Sequence, residues 1–348
     1  MTDLSQIASS TRSSIGRYFS LVSAVPSAVL VGWTVLLVQS GAWSGTPDVS
    51  ASLRGFSDLG VGGAAGLVLA SLALGLVLHP MQFAFVQFLE GYWGTSRLAC
   101  RLRFLRIKSK GLRLGGQLDR LAQLDRQIED LWDRRESATG DEYDRLTTSM
   151  IELMSLQTEL IRITATAPTS PEAVMPSRLG NVLRRYEWSV GKAYCLETIT
   201  TVPFLSRVAA PGDMDYVNDQ RGQLDLAVRM TIVGFVATGL TLVFLARHGL
   251  WLLVAVVPYL AGYLSYQGAV TAAAAYGRAL GVLVTLNRFA LYERLRLPPV
   301  ADLAAERTRN TAVKPLLRHE AGEESTMVYR AEPPPPPATA EPSPSDTR

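Results

Sequence analysis

The chain has 348 residues, of which 48 % are hydrophobic, and its formal charge is only +3. Its mean hydropathy of +0.15 hides a strong segregation, because long stretches carry no charge while others are dense in arginine and acidic residues. This segregation excludes a single globular core and is typical of membrane spans joined to soluble segments. The two cysteines, Cys100 and Cys195, are far apart in the sequence and too few for a disulfide scaffold.

Four apolar stretches predict four membrane-spanning helices. Residues 18–39 carry no charge, and at about 1.5 Å per residue a helix of this length crosses about 30 Å of hydrocarbon. This first stretch is too long for the apolar region of a signal peptide, so we interpret it as a retained span. The other stretches are residues 59–89, 230–246 and 249–277. Two of them, 59–89 and 249–277, are longer than a bilayer requires, and we expect each to continue as a helix beyond the membrane.

The connections between paired spans predict two transmembrane hairpins, and the fold class is therefore an all-α membrane protein. An even number of spans places both termini on the same side of the membrane. In chain order, the predicted segments are a cytoplasmic N-terminus (1–17), a first hairpin with an overlong second helix (18–93), a cytoplasmic helical domain (94–224), a second hairpin with an overlong second helix (225–297) and a disordered, proline-rich tail (298–348).

Basic residues after the second span predict the orientation. No acidic residue occurs between positions 91 and 118. Because loops rich in lysine and arginine stay in the cytoplasm, we expect both termini and residues 94–224 to be cytoplasmic and the protein to be integral to the plasma (cytoplasmic) membrane. The basic residues of this stretch are Arg97, Arg101, Arg103, Arg106, Lys108, Lys110 and Arg113.

The same stretch has an amphipathic pattern that allows two interpretations. Leu98, Leu102 and Leu105 fall on one helical face, with arginines between them. One interpretation is direct contact with anionic lipid headgroups. The other is that the charges only fix the topology, because the orientation rule requires nothing more.

An antiparallel helical hairpin is predicted for residues 117–163. Apolar residues first repeat with the spacing of a coiled coil and then recur in a second periodic run, with a break at residues 136–140 between them. Thr139 and Glu142 fit a capping box at the start of the second helix. The first run is Leu121, Leu124, Ile128 and Leu131, and the second is Tyr143, Leu146, Met150, Leu153 and Leu160.

Three further residues widen the apolar face of the second helix beyond the seam between the two helices. Ile151, Met154 and Ile161 lie outside the seam positions. They require a partner, so we expect the hairpin to pack beyond the simple pair, and we expect a homo-oligomer.

The segments that follow the hairpin are less regular. Ser177 is placed to cap a helix through residue 194, and residues 198–205 are interpreted as a short strand or as a segment lying along the membrane. The tail loses periodicity after about Pro298 and contains five consecutive prolines, Pro333 to Pro337. Such a composition favours polyproline II and disorder. Either the tail binds a cytoplasmic proline-recognising protein, or it is only a solvated segment.

Small residues predict two close helix contacts. Gly62 and Gly66 form a GxxxG pattern in the second span, and a second stripe recurs at every fourth position of the fourth long helix. The pattern does not distinguish packing within one chain from packing between copies. The second stripe consists of Ala269, Ala273, Gly277 and Gly281.

No sequence pattern predicts an enzyme or a cofactor. The three histidines lie in different segments, without HExxH or clustered carboxylates, and the phosphate-binding GxxxxGK[ST] and the nucleophile motif GxSxG are both absent from the sequence. His79, next to Pro80, is interpreted either as a proton-sensitive site or as a histidine bonded to a neighbour near the inner membrane surface. Glu90 and Arg278 are placed similarly, and the three residues are expected to form a polar site at the inner mouth.

Two functional hypotheses remain open. The first is a non-enzymatic membrane scaffold or signalling component that self-associates and recruits cytoplasmic partners. The second is an oligomeric channel or pore whose inner mouth contains the polar site. A membrane enzyme lacks its paired acid and base. The expected partners are membrane lipids, further copies of the chain and a cytoplasmic protein at the tail; no nucleic acid is expected.

Overall fold

A computed structural model describes residues 24–42, 45–320 and Tyr329. This part of the chain consists of helices and connecting turns and contains no β-strand. Three of the helical segments are long and apolar enough to cross a membrane. The predicted all-helical fold and the predicted association with a membrane are therefore confirmed.

Eleven α-helices and two 3₁₀ segments account for the regular structure of the described residues. They are α1 (Ala24–Gln39), α2 (Val49–Ser57), α3 (Val61–Leu78), α4 (Gln82–Glu90), α5 (Arg97–Ser137), α6 (Asp141–Thr164), a 3₁₀ turn (Pro171–Ala173), α7 (Arg178–Tyr194), α8 (Thr198–Leu205), α9 (Pro211–Leu245), a 3₁₀ segment (Gly249–Ala255), α10 (Val256–Arg294) and α11 (Leu303–Leu317).

The candidate membrane spans are α3, α9 and the continuous segment Gly249–Arg294. Many side chains of α3 are exposed within the described chain, and Gly75 is its buried residue. An apolar helix with exposed side chains is stable in hydrocarbon rather than in water. The first predicted span corresponds to α1, a shorter apolar helix, and residues 18–23 of that prediction lie outside the described residues.

The second apolar stretch forms two helices, so the prediction of one overlong helix over residues 59–89 is wrong. Helix α3 ends at Leu78, and α4 begins at Gln82. Pro80 lies between them, and a proline lacks the backbone N–H of a continuous helix and collides with the preceding turn. The chain therefore changes direction at the end of the apolar run.

The third span also continues beyond its apolar stretch, which the sequence did not predict. Helix α9 begins at Pro211, well before residues 230–246. Proline is favoured in the first turn of a helix, where its missing N–H has no partner to lose. Gly212 and Asp213 therefore belong to the first turn of α9.

Helices α9 and α10 pack closely where their glycines face each other. A Cβ atom built on Gly234 would lie 2.5 Å from the Cα atom of Gly262. Only glycine allows two helix backbones to approach this closely. Helix α1 joins the pair through a hydrogen bond of 2.9 Å from the Trp33 indole N–H to the hydroxyl oxygen of Thr241.

The other halves of α9 and α10 form a helical body with α7, α8 and α11. Residues 198–205 form the helix α8, so the interpretation of this segment as a strand is wrong. The alternative, a segment lying along the membrane, stays a prediction. Leu205 from α8 is fully buried and packs with Leu283 of α10 and Val313 of α11. Together, these side chains form a core outside the apolar part of α9.

Helix α11 lies in the segment predicted to be disordered, residues 298–348, and corrects that prediction for residues 303–317. Its Glu306 is buried and accepts hydrogen bonds from Tyr292 (2.8 Å) and Arg288 (2.9 Å). The helix packs through Val313 and Leu317 as well as through these polar partners on α10. Residues 321–328 and 330–348, which include the proline run, lie outside the described residues.

Helices α5 and α6 form an antiparallel pair over the region predicted to be a hairpin. Leu124 and Ile128 of α5 are buried, as are Leu146 and Met150 of α6. Helix α5 begins at Arg97, twenty residues before the predicted start of the hairpin at residue 117.

The predicted capping box at the start of α6 is wrong. Gly140 is the capping residue, and no side chain caps the helix. Its φ of 62° is a conformation that glycine adopts at little cost. Thr139 therefore precedes the cap. The predicted cap at Ser177 is confirmed, since its hydroxyl oxygen accepts a hydrogen bond of 2.8 Å from the Gly180 N–H.

Gly277→Leu should destabilise the helical body, because a Cβ atom at this position would collide with the ring of Tyr186. We expect the free energy of unfolding to fall by about 1–3 kcal/mol, the usual cost of overpacking. Unfolding in detergent micelles measures this change. Gly268→Leu on the same helix is the control, since no atom lies within 4 Å of an added Cβ there. Equal losses in both variants would contradict the packing argument.

Candidate functional site

A polar network joins α4 to α9 at the end of α3. The Gln82 side-chain amide donates a hydrogen bond of 2.9 Å to the Asp225 carboxylate, and the Arg229 guanidinium donates to the amide oxygen of Gln82 (2.5 Å). A second guanidinium nitrogen of Arg229 lies 3.3 Å from Nδ1 of His79. Arg229 is only 3 % exposed. A buried arginine requires such partners, since an uncompensated charge is costly away from water.

This network forms one end of a cavity of about 1310 Å³. Helices α4, α7, α8, α9 and α10 surround the cavity. Its lining combines apolar side chains with carboxylates, two arginines and three tyrosines. The charged, histidine and tyrosine side chains of the lining are His79, Glu90, Glu187, Asp215, Asp219, Asp225, Arg221, Arg229, Tyr186, Tyr216 and Tyr276.

Two carboxyl groups of α4 and α7 are held near each other at this cavity. Burial and, to a smaller extent, the nearby negative charge of Glu187 raise the pKa of Glu90 to about 7, against the opposing effect of Arg184. Burial also raises the pKa of Glu187. The Ser177 hydroxyl donates a hydrogen bond of 2.8 Å to the backbone carbonyl of Glu90, which fixes the end of α4 to the start of α7. Glu90 therefore changes its charge near neutral pH.

The expected three-residue polar site does not form as predicted. His79 and Glu90 line the same cavity, but His79 contacts Arg229. Arg278 is not part of the lining, and its guanidinium lies 3.5 Å from the hydroxyl of Tyr186. His79 and Gln82, on either side of the helix interruption at Pro80, both contact Arg229 of α9, whereas Arg278 lies on α10 beside Tyr186.

Sequence reasoning missed Gln82, Asp225 and Arg229. Arg229 immediately precedes the apolar run of α9, and Asp225 lies four residues before it, on the same helical face. The four-residue spacing of Asp225 and Arg229 indicates a shared face only if both residues lie in one helix. The apolar stretch begins after Arg229, so the sequence alone did not place them in the helix that begins at Pro211.

The small-residue stripe of α10 packs within the chain, against α7 and α9. Ala269 and Ala273 are fully buried in a cluster with residues of both helices. Gly277 faces the ring of Tyr186, and a Cβ on Gly281 would lie 3.2 Å from Val190. The stripe therefore brings the backbone of α10 close to the side chains of α7.

The glycine pair of α3 has a different environment. A Cβ atom added to Gly62 or to Gly66 would have no neighbouring atom within 4 Å in the described chain. This face of α3 thus contacts no described helix. The GxxxG pattern therefore does not contribute to packing among the described residues.

The basic segment of α5 and the outer face of α6 are both exposed. Most of the predicted basic residues between Arg97 and Arg113 are exposed, with Lys110 partly buried. On α6, Ile151, Met154 and Ile161 are between 42 and 60 % exposed. Among the described residues, no group of histidine, cysteine and acidic side chains is arranged to hold a metal ion.

Arg229→Met should remove one of the hydrogen bonds between α4 and α9 and leave the Gln82 amide oxygen without its donor. We expect the free energy of unfolding in detergent to fall by about 1–3 kcal/mol, the cost of an unsatisfied buried polar group. Arg221→Met is the control, because Arg221 is on the same helix with a largely exposed side chain, and it should change stability by less than about 0.5 kcal/mol.

Glu90→Gln should change how stability depends on pH. Folded Glu90 keeps its proton up to about pH 7, whereas the pKa of an exposed glutamate is ordinarily 4.5. Because the folded state then binds more protons in this window, the free energy of unfolding falls as pH rises through it.

Thermal unfolding should therefore show Glu90→Gln to be more stable than the wild type at about pH 8 and little changed at about pH 4. Glu159→Gln is the control, because a hydrogen bond from Arg162 lowers the pKa of this exposed carboxyl, so it should gain nothing at high pH. An equal gain in stability for Glu90→Gln at both pH values would contradict the raised pKa of Glu90.

The sequence matches no known protein-family model, and neither a curated protein nor a solved structure shows significant similarity to it. The candidate site therefore rests on its own geometry, namely a buried arginine network, a cavity with ionisable walls and an exposed helical hairpin.

Proposed function

We propose that this protein is a non-enzymatic integral membrane scaffold or signalling component, which self-associates and recruits cytoplasmic partners through the hairpin of α5 and α6. One observation carries this proposal. The apolar face of α6 is wider than its contact with α5, so Ile151, Met154 and Ile161 form an exposed stripe beside the buried seam.

The stripe has the geometry of a helix interface. At about 100° per residue, its three side chains fall within about 80° of one another on one side of α6. Leu156 is also exposed, but it projects from the opposite side. Single exposed apolar residues are normal on protein surfaces, whereas a continuous stripe marks an interaction surface.

A second copy of the chain fits this stripe. Two antiparallel hairpins that meet through their α6 helices would form a four-helix bundle, the common way in which helical pairs cover apolar faces. The unoccupied GxxxG face of α3 supports association inside the membrane as well, because Gly62 and Gly66 contact no described residue.

The proposed topology has four spans, with α1 in the first of them and both termini in the cytoplasm. Its support is the excess of lysine and arginine between residues 97 and 113 and the apolar character of α1, α3, α9 and α10. The plasma membrane is the proposed location, and the proline-rich tail is a proposed site for a cytoplasmic partner.

An oligomeric channel is the second candidate, and the polar cavity favours it. The cavity meets the apolar part of α9 at Arg229 and contains groups that would attract ions. The close contact between Gly234 and Gly262 leaves no room for a path between α9 and α10. A pore would therefore need several copies around a shared axis.

The triple variant Ile151→Asp, Met154→Asp and Ile161→Asp should separate the copies. Carboxylates in an apolar interface are strongly disfavoured because they lose their hydration. The molar mass of full-length protein in detergent, measured by light scattering, should fall from an oligomer toward a monomer.

Leu156→Asp is the matched control, since it places a carboxylate at an equally exposed leucine on the opposite side of α6. It should leave the molar mass unchanged. A monomeric wild type, or an oligomer that survives the triple variant, would refute assembly through this stripe. Ion flux into liposomes through wild-type protein would favour the channel.

A further inference from the structure

The first four turns of α5 stand apart from the hairpin. Within α5 the buried residues are Leu114, Leu124 and Ile128, so contact with the rest of the chain begins near the end of this basic segment. Before that point, four leucines are between 48 and 70 % exposed. They are Leu98, Leu102, Leu105 and Leu112.

These leucines form one stripe with basic residues on both of its edges. At about 100° per residue, the four side chains cover about 80° of the helix circumference. Arg101 and Lys108 flank one edge of the stripe, and Arg106 and Arg113 flank the other. Long basic side chains on both edges can reach lipid headgroups while the leucines enter the apolar boundary below them.

Helix α4 packs on α9 where the apolar run of α9 begins. Gln82 at its start contacts Asp225 and Arg229, which directly precede the apolar run of α9. Glu90 at its end accepts a hydrogen bond from Ser177, at the start of α7.

The start of α7 contacts α10 close to the point where α10 packs against the apolar run of α9. The Arg178 backbone N–H donates a hydrogen bond of 3.1 Å to Tyr266. Tyr266 is one turn along α10 from Gly262, which faces Gly234 of α9. Both ends of α4 are therefore near the membrane boundary, and α5 begins beside it.

The far end of the basic segment contacts the segment that precedes α7. Burial and the positive charges of Arg106 and Arg178 lower the pKa of Lys110 to about 8. A Cβ atom on Gly111 would lie 3.8 Å from the carbonyl oxygen of Pro171. The end of the basic segment is thus held beside the segment that leads into α7.

We propose that residues 97–113 lie along the membrane surface, with the leucine stripe in the apolar boundary and the flanking arginines and lysines on anionic phospholipid headgroups. The absence of acidic residues between positions 91 and 118 makes the stretch complementary to a negative surface. A nucleic acid would occupy the charges and leave the leucines in water. A protein partner would cover the leucines but would not require basic residues along both edges.

Nitroxide labels on two faces of α5 test this placement in the full-length protein. One label is attached to the native Cys100, which is exposed and projects away from the leucine stripe, with Cys195→Ser as background. The other is attached through Leu102→Cys, in a background of Cys100→Ser and Cys195→Ser. The protein is reconstituted in vesicles of phosphatidylcholine and phosphatidylglycerol in equal parts.

For each nitroxide label, we compare the collision rate with apolar oxygen to the collision rate with a water-soluble nickel chelate. This ratio should be several-fold higher at position 102 than at position 100. The combined variant Arg101→Gln, Arg106→Gln, Lys108→Gln and Arg113→Gln should remove most of this difference. Vesicles of phosphatidylcholine alone should also reduce it. Circular dichroism checks that the variant remains helical.

Two results would overturn the proposal. Equal access of the nickel chelate to both positions in anionic vesicles would show that this face remains in water. Shielding of position 102 from both oxygen and nickel would show that protein, rather than lipid, covers the leucines.

Discussion

Burial of Arg229 is the constraint on which the arrangement of the helices depends. The arginine lies where the apolar part of α9 begins and is almost inaccessible to solvent, so it requires partners from another segment. Gln82 and His79, on either side of Pro80, supply them. The network therefore holds α4 against α9 and determines where the chain enters α5.

The cavity is a consequence of the same arrangement. Helix α10 packs closely on α7 because Ala273 and Gly277 have little or no side chain, while α4 crosses from α9 to α7 on another side. The space left between them is lined by ionisable groups on several helices. Because Glu90 and Glu187 share this space, burial and mutual repulsion raise the pKa of Glu90 to about 7.

The hairpin combines two exposed surfaces with different physical requirements. Near its base, α5 presents leucines between basic side chains, a composition that matches an anionic bilayer. Along its length, α6 presents Ile151 and Met154 without flanking charge of one sign, which matches another apolar helix. If both proposals hold, the membrane orients the hairpin and leaves the α6 stripe accessible to a second copy.

Local patterns in the sequence determined the helical class, the apolar segments long enough to cross a membrane and the pairing of α5 with α6, because periodicity and runs without charge are encoded by neighbouring residues. The sequence did not determine the partners of His79, which depend on Arg229, 150 residues further along the chain. The packing of α11 was also decided by tertiary structure, since its buried Glu306 is satisfied by Tyr292 and Arg288 of α10. Polar contacts between distant segments leave no periodic signal, so only the folded chain shows them.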